Sequence, residues 1–256
     1  MRYFSLLTFA GALVFTNSHP IAAQTATRQV VTTKTVVERV VSERVVINEN
    51  TKLLDNQTGN LISYQTYQQL MKEDRAGYKL VPVINEYGAT DAFIVRPTTT
   101  EERETRRFMD RDPALRPKAG DTMPEFVMKS TDDKEYRLSA LKGKVVVLSF
   151  WMGVKPPYWN TRQATLFSDA LQPYQTANGL VVLGAVRETK DDVANAEAAQ
   201  TFPFIAIPNS DNFSRKFHVT RFPSVFVIDK TGKVAAYLEG QGMFEQLTKV
   251  LEQASR

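Results

Sequence analysis

Hydrophobic and polar positions alternate in short blocks through the second half of the chain. Short apolar runs predict strands, and apolar residues that recur every three to four positions predict helices that bury one face. The run at 145–150 is apolar along nearly its whole length, which is typical of a strand covered on both faces of its sheet. Strands are predicted over residues 145–150, 180–186, 204–207, 225–228 and 234–238, and helices over residues 157–171, 191–199 and 243–254.

The order of these elements predicts the fold class. Strands and helices alternate first, and the turn sequence Asp229-Lys230-Thr231-Gly232 then predicts a hairpin before the last helix. An α/β fold with a mixed central sheet flanked by helices follows from that order.

The first half of the chain carries weaker patterns. Between residues 50 and 100 a small α+β unit is predicted, with a helix over 64–75 and strands over 78–84 and 92–95 around a turn at 85–88. The charge-dense segment 98–118 predicts a linker, with a short helix over 101–109.

Residues 30–47 form a valine-rich stretch that predicts one or two extended strands, because β-branched side chains favour strands over helices. Two alternatives remain open: an arm that orders only on a partner, and a structural role in which the arm adds strands to another protein. The predicted organisation is an N-terminal unit with its arm and linker over 24–115 and a second domain over 116–256.

The N-terminus predicts export. A basic residue, Arg2, precedes an apolar run over 4–15, and small residues lie before Gln24, so residues 1–23 are interpreted as a secretory signal peptide. The alternative is a short membrane anchor, but the run is shorter than the roughly 20 residues that a span needs. With no later segment long and apolar enough to cross a bilayer, we expect a periplasmic or secreted protein of the bacterial envelope.

Composition excludes several function classes. The 256 residues are 43% hydrophobic and carry a net charge of only +4, with no basic stripe that would indicate nucleic-acid binding. There is no cysteine, which excludes a disulfide, a thiolate nucleophile and a cysteine zinc site. The chain has two histidines, His19 and His218, and His19 lies in the predicted signal peptide, so neither a metal site nor a cofactor is predicted.

Four segments of the second half occur in a recognisable order and spacing. They are Gly120-Asp121-Thr122-Met123-Pro124-Glu125-Phe126, residues 138–148, Phe150-Trp151, and Phe222-Pro223-Ser224-Val225-Phe226-Val227-Ile228-Asp229 with Gly232. They resemble the entry motif, the lead into the central strand, the pair before the redox motif and the cis-proline loop of the thioredoxin superfamily. The similarity is to exported TlpA-like thiol-disulfide reductases and redoxins. The similarity covers about residues 118–256. It implies a thioredoxin-like fold that follows the small α+β unit along the chain.

The sequence departs from that family at the two cysteine positions of the redox motif. The family reads Phe-Trp-x-x-Trp-Cys-x-Pro-Cys after the central strand, so the resemblance assigns the attacking cysteine position to Lys155 and the resolving position to Tyr158. An amine and a phenol cannot exchange disulfides, which need two sulfur atoms. Thiol reductase, oxidase and peroxiredoxin activity by this chain alone are therefore excluded, and no catalytic residue is predicted.

The resemblance also implies a groove between the redox motif and the cis-proline loop, where thioredoxin-like proteins bind extended polypeptide. The groove candidates are Trp151, Lys155, Pro156, Pro157, Tyr158, Phe222 and Pro223. Core packing is the alternative for Trp151. For Tyr158 the alternative is that it fills space at the site together with Trp159, with Tyr158 packing near Pro223. Lys155 is interpreted as a solvated side chain, an anion ligand at a helix N-terminus or a nucleophile, and His218 as solvated or hydrogen-bonded.

These observations predict an exported, non-catalytic thioredoxin-fold module that binds or scaffolds an envelope or secreted protein. The alternative is a thiol-disulfide oxidoreductase role in redox homeostasis that takes its thiols from a partner. Neither the partner nor the oligomeric state follows from the sequence.

Overall fold

The structure is a computed structural model that describes residues 46–108, 110–175, 179–240 and 242–255. Its strands are β1 (Leu53–Asp55), β2 (Leu61–Ile62), β3 (Tyr78–Ile84), β4 (Thr90–Pro97), β5 (Val127–Lys129), β6 (Glu135–Arg137), β7 (Val145–Trp151), β8 (Leu180–Val186), β9 (Ile205–Ile207), β10 (Ser224–Ile228) and β11 (Val234–Glu239). Its α-helices are α1 (Tyr64–Glu73), α2 (Thr100–Thr105), α3 (Thr161–Gln175), α4 (Lys190–Ala199), α5 (Asp211–Lys216) and α6 (Met243–Ser255).

The central sheet confirms the predicted α/β thioredoxin-like class. Its strands lie in the order β11-β10-β7-β8-β9, with β7 parallel to β8 and antiparallel to β10. Every residue of β7 is buried, because a hydrophobic core lies on each face of the sheet. Trp151 and Val147 belong to one core, and Phe150 and Leu148 to the other, as the alternation of side chains along a strand requires.

The strand register determines where the candidate site lies. Ser224 at the start of β10 pairs with Phe150 near the end of β7, and Trp151 pairs with Val186 at the end of β8. The segments that follow β7 and β8 and the loop that precedes β10 therefore meet at one edge of the central sheet. Ligand sites of open α/β sheets lie at such carboxyl ends of strands.

A second sheet precedes the central one, in the order β2-β1-β4-β3 with β1 parallel to β4. The tip of its β3–β4 hairpin lies against α5, where the amide of Asn212 donates to the Gly88 carbonyl oxygen over 2.8 Å. A Cβ on Gly88 would lie 2.8 Å from the Phe213 ring, and the backbone there has φ +78°. Glycine is therefore required at this contact. Both sheets belong to one compact unit of residues 46–256, and the domain boundary stays a prediction.

One predicted helix boundary is wrong at the candidate site. The helix expected over 157–171 begins at Thr161, and the Asn160 side chain accepts the Gln163 N–H as an N-terminal cap. The expected first turn is instead a separate turn, in which the Tyr158 and Trp159 N–H groups donate to the Lys155 carbonyl oxygen.

Other differences are shifts at element ends or short elements that the pattern missed, namely β1, β2, β5, β6 and α5. The linker helix ends at Thr105 rather than at residue 109, because Arg106 adopts a left-handed conformation. The predicted signal peptide and the valine-rich stretch as far as residue 45 lie outside the described residues. Within the described part of the chain, no helix combines the length and apolar character of a membrane span.

Candidate functional site

Trp151 lies in the core, so its expected place in the groove is wrong. It is 1% exposed, and its ring packs 4.6 Å from the Trp159 ring and 5.9 Å from the Phe204 ring, measured between centroids. Its indole N–H donates to the Ser149 hydroxyl, which itself donates to the Leu183 carbonyl. The polar groups of this buried pair are thus satisfied, which favours the core position.

The residues at the expected redox positions form a turn, which we call the motif segment (155–158). The N–H groups of Tyr158 and Trp159 both donate to the Lys155 carbonyl oxygen, and the Pro156–Pro157 bond is cis. Tyr158 is 54% exposed, so the expectation that it fills space is wrong for this residue, whereas Trp159, expected to do the same, is buried.

Lys155 does not lie at a helix N-terminus, contrary to the premise of the anion-site hypothesis, because α3 begins only at Thr161. Its ammonium lies 3.0 Å from an Asp192 carboxylate oxygen, and both side chains are about half exposed. The Thr189 hydroxyl also donates to Asp192, and the pKa of Asp192 is lowered by these two hydrogen bonds, Thr189 first. Lys155 is therefore held by a carboxylate on α4.

Glu188 supports the start of the motif segment from the end of β8. Its carboxylate accepts the Val154 N–H over 2.7 Å, and a Cβ on Gly153 would lie 2.8 Å from the other carboxylate oxygen. Burial raises the pKa of Glu188, and the negative charge of Asp192 raises it further. The hydrogen bond from the Val154 N–H and the positive charge of Lys155 lower this pKa and oppose the shift. A partly buried carboxylate therefore lies beneath the expected redox positions.

Arg187 links this region to α5. One guanidinium nitrogen lies 3.1 Å from the Met152 sulfur, and Nε lies 3.0 Å from an Asp211 carboxylate oxygen. The same Asp211 oxygen accepts from Arg111 over 3.1 Å. A row of polar contacts thus runs from the residue after β7 to the segment before the central domain.

The Phe222–Pro223 bond is cis, which confirms the prediction from the cis-proline motif. We call residues 218–223 the cis-proline loop. Arg111 donates to the Val219 carbonyl over 3.1 Å, and its guanidinium carbon lies 5.9 Å from the centre of the Phe222 ring. The loop is therefore contacted by a residue far away in sequence.

His218 is hydrogen-bonded, one of the two readings that the sequence left open. Its Nδ1 accepts the Asp112 N–H over 3.0 Å, and its backbone has φ +52°. Burial lowers the pKa of His218, and the positive charge of Arg116 lowers it further. The negative charges of Asp112 and Asp110 raise this pKa and oppose the shift. The neutral imidazole is the form that this contact uses.

Sequence reasoning missed Glu188, Arg111 and Asp211. The charge-dense linker was a signal for Arg111, but nothing in the spacing indicated a contact with residues about a hundred positions later. In the described residues no group of three or more His, Cys, Asp or Glu side chains has the arrangement of a metal site. The arrangement can pair charges and present aromatic surface, and with no thiol it has no group for disulfide exchange.

Comparisons with known proteins agree with this fold. Residues 119–237 match the model of the AhpC/TSA family. The chain is 34% identical over 142 residues to the thiol-disulfide oxidoreductase ResA of Geobacillus thermodenitrificans, covering 52% of this chain and 76% of that protein. It is 32% identical over 126 residues to the chloroplastic peroxiredoxin Q of Triticum aestivum, covering 45% of this chain and 56% of that protein.

Among solved structures, one neighbour is a thiol:disulfide interchange protein of the thioredoxin family from Chlorobium tepidum. It is 22% identical, covers 56% of this chain and 99% of its own, and has a TM-score of 0.43. The sequence relatives and the sheet order together assign the family. The chain belongs to the AhpC/TSA redoxins, among relatives of the ResA thiol-disulfide oxidoreductases, and has no cysteine.

Proposed function

We propose that the protein is a non-catalytic redoxin that binds an extended segment of another protein. One observation carries this proposal: the motif segment after β7 and the cis-proline loop before β10 lie at the same end of the central sheet, and the chain has no thiol for electron transfer. The proposed groove is lined by Lys155, Pro156, Pro157, Tyr158, Phe222 and Pro223.

The exposure of Tyr158 supports the binding role. A large aromatic side chain that is half exposed beside two prolines offers apolar area at little entropic loss, and tyrosine is enriched among residues that dominate binding energy. Phe222, on the other side, is half-buried. We further propose that the protein works outside the cytoplasm, on the basis of the signal-like N-terminus.

Binding can be tested with a permanently unfolded probe, reduced and carboxymethylated lactalbumin. The probe is titrated into the isotopically labelled protein, and the backbone amide NMR signals of the labelled protein are followed. Tyr158→Ala should weaken binding at least about fivefold, because it removes a central aromatic contact. Tyr87→Ala is the matched control, since Tyr87 is 55% exposed but lies in the β3–β4 hairpin. Equal losses in both variants, or no binding by the unaltered chain, would contradict the proposed groove.

Family membership favours a second candidate, a thiol-disulfide oxidoreductase role that uses thiols of a partner. An insulin-reduction assay with dithiothreitol separates the two. We expect the chain alone to react at the background rate, and the double variant Lys155→Cys with Tyr158→Cys to exceed that rate. Acceleration by the unaltered chain would refute the absence of redox activity.

A further inference from the structure

A short segment before the central domain is held against the cis-proline loop. We call residues 110–116 the strap. It contains Arg111, whose two terminal nitrogens donate to the Val219 carbonyl and to Asp211, each over 3.1 Å. The side chain of Arg111 is only 16% exposed. Its contacts join the strap to the loop and to α5 at once.

Arg116 anchors the other end of the strap. Its Nε donates to the His218 carbonyl over 3.2 Å, and Nη2 donates to the Thr220 hydroxyl over 3.0 Å. The guanidinium carbon lies 4.1 Å from the centre of the Tyr237 ring, which is a cation–π contact. At the first residue of the strap, Arg215 donates to the Asp110 carboxylate over 2.8 Å.

Between these anchors the strap is held by a bond that depends on protonation. The Asp112 N–H donates to Nδ1 of His218, and an imidazole nitrogen can accept only while it carries no proton. Protonation of His218 turns Nδ1 into a donor facing another donor. The contact between the middle of the strap and the loop is then lost, while the two arginine anchors keep their charge.

We propose that the strap is a pH-sensitive cover of the cis-proline loop, closed when His218 is neutral and loosened when His218 is protonated. Arg111 lies over the Phe222 ring in the closed form. Loss of the Asp112 bond releases the chain next to Arg111, so that Arg111 can leave the Phe222 ring and uncover one side of the proposed groove, a consequence that rests on the proposed binding function. The opening of the strap itself does not depend on that function.

The charged groups around His218 decide the direction of the effect. The groups that face it are Asp110, Asp112 and Arg116 from the strap. Burial and Arg116 favour the neutral ring, so the closed form is stabilised above the ordinary histidine pKa of about 6.5 and loses that stabilisation as the pH falls. Histidine is the side chain whose ordinary titration lies between pH 5 and 8.

Hydrogen exchange of the Asp112 amide, measured by NMR on the full chain at about pH 7.5 and pH 5.0, tests the proposal. Protection is expressed relative to the rate of an unstructured peptide at the same pH, so that the chemical effect of pH cancels. We expect protection to fall about fivefold at the lower pH, as loss of one hydrogen bond predicts.

Two variants separate the imidazole from other titrating groups. In His218→Asn the side-chain oxygen occupies the place of Nδ1, accepts without titrating and tolerates the positive φ, so protection should stay high at both pH values. His218→Gly tolerates the same backbone and has no acceptor, so protection should be low at both. An unchanged wild type, or an equal fall in His218→Asn, would overturn the proposal.

A binding measurement keeps the two proposals distinguishable. Carboxymethylated lactalbumin should bind the wild type more tightly at pH 5.0 than at pH 7.5, and His218→Gly equally well at both. A fall in Asp112 protection without binding at either pH contradicts the groove but supports the strap. Binding that is independent of pH despite a fall in protection shows that the strap does not cover the groove, and overturns that part of the inference.

Discussion

The two sides of the proposed groove are held by different kinds of interaction. Within the motif segment the Lys155–Asp192 pair is half-exposed and Tyr158 projects into solvent, and the partly buried Glu188 carboxylate bonds only the residue before it, Val154. The cis-proline loop is held by Arg111 and Arg116, whose largely buried guanidinium groups each donate two hydrogen bonds to it or its neighbours. Exposed ion pairs stabilise a fold by about 0–1 kcal/mol, whereas charge-assisted hydrogen bonds shielded from water are stronger.

This difference concerns the two segments that line the proposed groove. Tyr158, at an expected redox position, projects from the surface, whereas Trp151 at the end of β7 and Trp159 directly after the motif segment are buried. The cis-proline loop, by contrast, is fixed from outside by a segment that precedes the central domain. We therefore expect sequence change to be tolerated at the motif segment and not at the strap.

The largest expected effect separates two aromatic residues, Trp151 at the end of β7 and Tyr158 in the motif segment. Trp151→Ala should lower the free energy of unfolding by about 3–5 kcal/mol, because it empties a fully buried site. Tyr158→Ala should change it by less than about 0.5 kcal/mol, as is usual for exposed positions. Urea unfolding followed by circular dichroism measures both. Similar losses in the two variants would show that the motif segment is part of the core.

The next effect compares two arginines at the cis-proline loop. Arg111→Ala should lower the free energy of unfolding by about 1–3 kcal/mol, because the Val219 carbonyl and Asp211 lose a donor in a shielded place. Arg221→Ala is the control, since its side chain is 74% exposed and lies 4.0 Å from Glu239, and it should cost less than about 0.5 kcal/mol. If Arg221 matters as much as Arg111, the strap does not hold the loop.

A third prediction concerns pH at the motif side. The pKa of Glu188 is raised by burial, so its contribution to stability is present below the unfolded value of about 4.3 and is lost as the pH rises through the folded value. Relative to Glu188→Gln, the wild type should therefore lose up to about 1 kcal/mol between pH 4 and 7. This sign is opposite to that of His218. Unfolding curves of both chains across that range test it, and parallel curves would show no titration of Glu188.

The smallest effect is expected at Lys155 itself. Lys155→Ala should change the free energy of unfolding by about 0–0.5 kcal/mol, because the pair with Asp192 is open to solvent and screened by salt. The measurement is urea unfolding at low and high salt, with Asp192→Ala as the partner variant. A loss above about 1 kcal/mol would place Lys155 among the structural residues and weaken the contrast between the two sides.

The fold could be predicted from the sequence because its signals are local and strong. The apolar run of β7 predicted a covered strand, and the Phe222-Pro223 motif predicted the cis bond that the structure contains. The start of α3 was missed because two prolines were taken as the first turn, whereas Asn160 caps the helix after them. The α5 helix was missed because six residues are too few to show a clear helical repeat of apolar positions. The only sign of that repeat is Phe213, followed four positions later by Phe217 at the end of the helix.

The site was only partly predictable. Motif order indicated Lys155, Tyr158 and the cis-proline loop, but whether an aromatic side chain is buried depends on the packing of distant elements. Trp151 is buried because Phe167 and Phe204 come from other elements to enclose it. The strap contacts join residues about a hundred positions apart, and no periodicity or composition encodes such a pairing.

The hairpin contact at Gly88 has a consequence for the order of folding. Its partner Asn212 lies 124 positions later, so the β3–β4 tip cannot reach its final neighbours until most of the chain has been synthesised. Closing so long a loop costs conformational entropy, so we expect this contact to form after the local contacts of the hairpin itself. A chain that ends before residue 212 would keep the hairpin sequence but lack both Asn212 and Phe213, the two partners of the Gly88 tip.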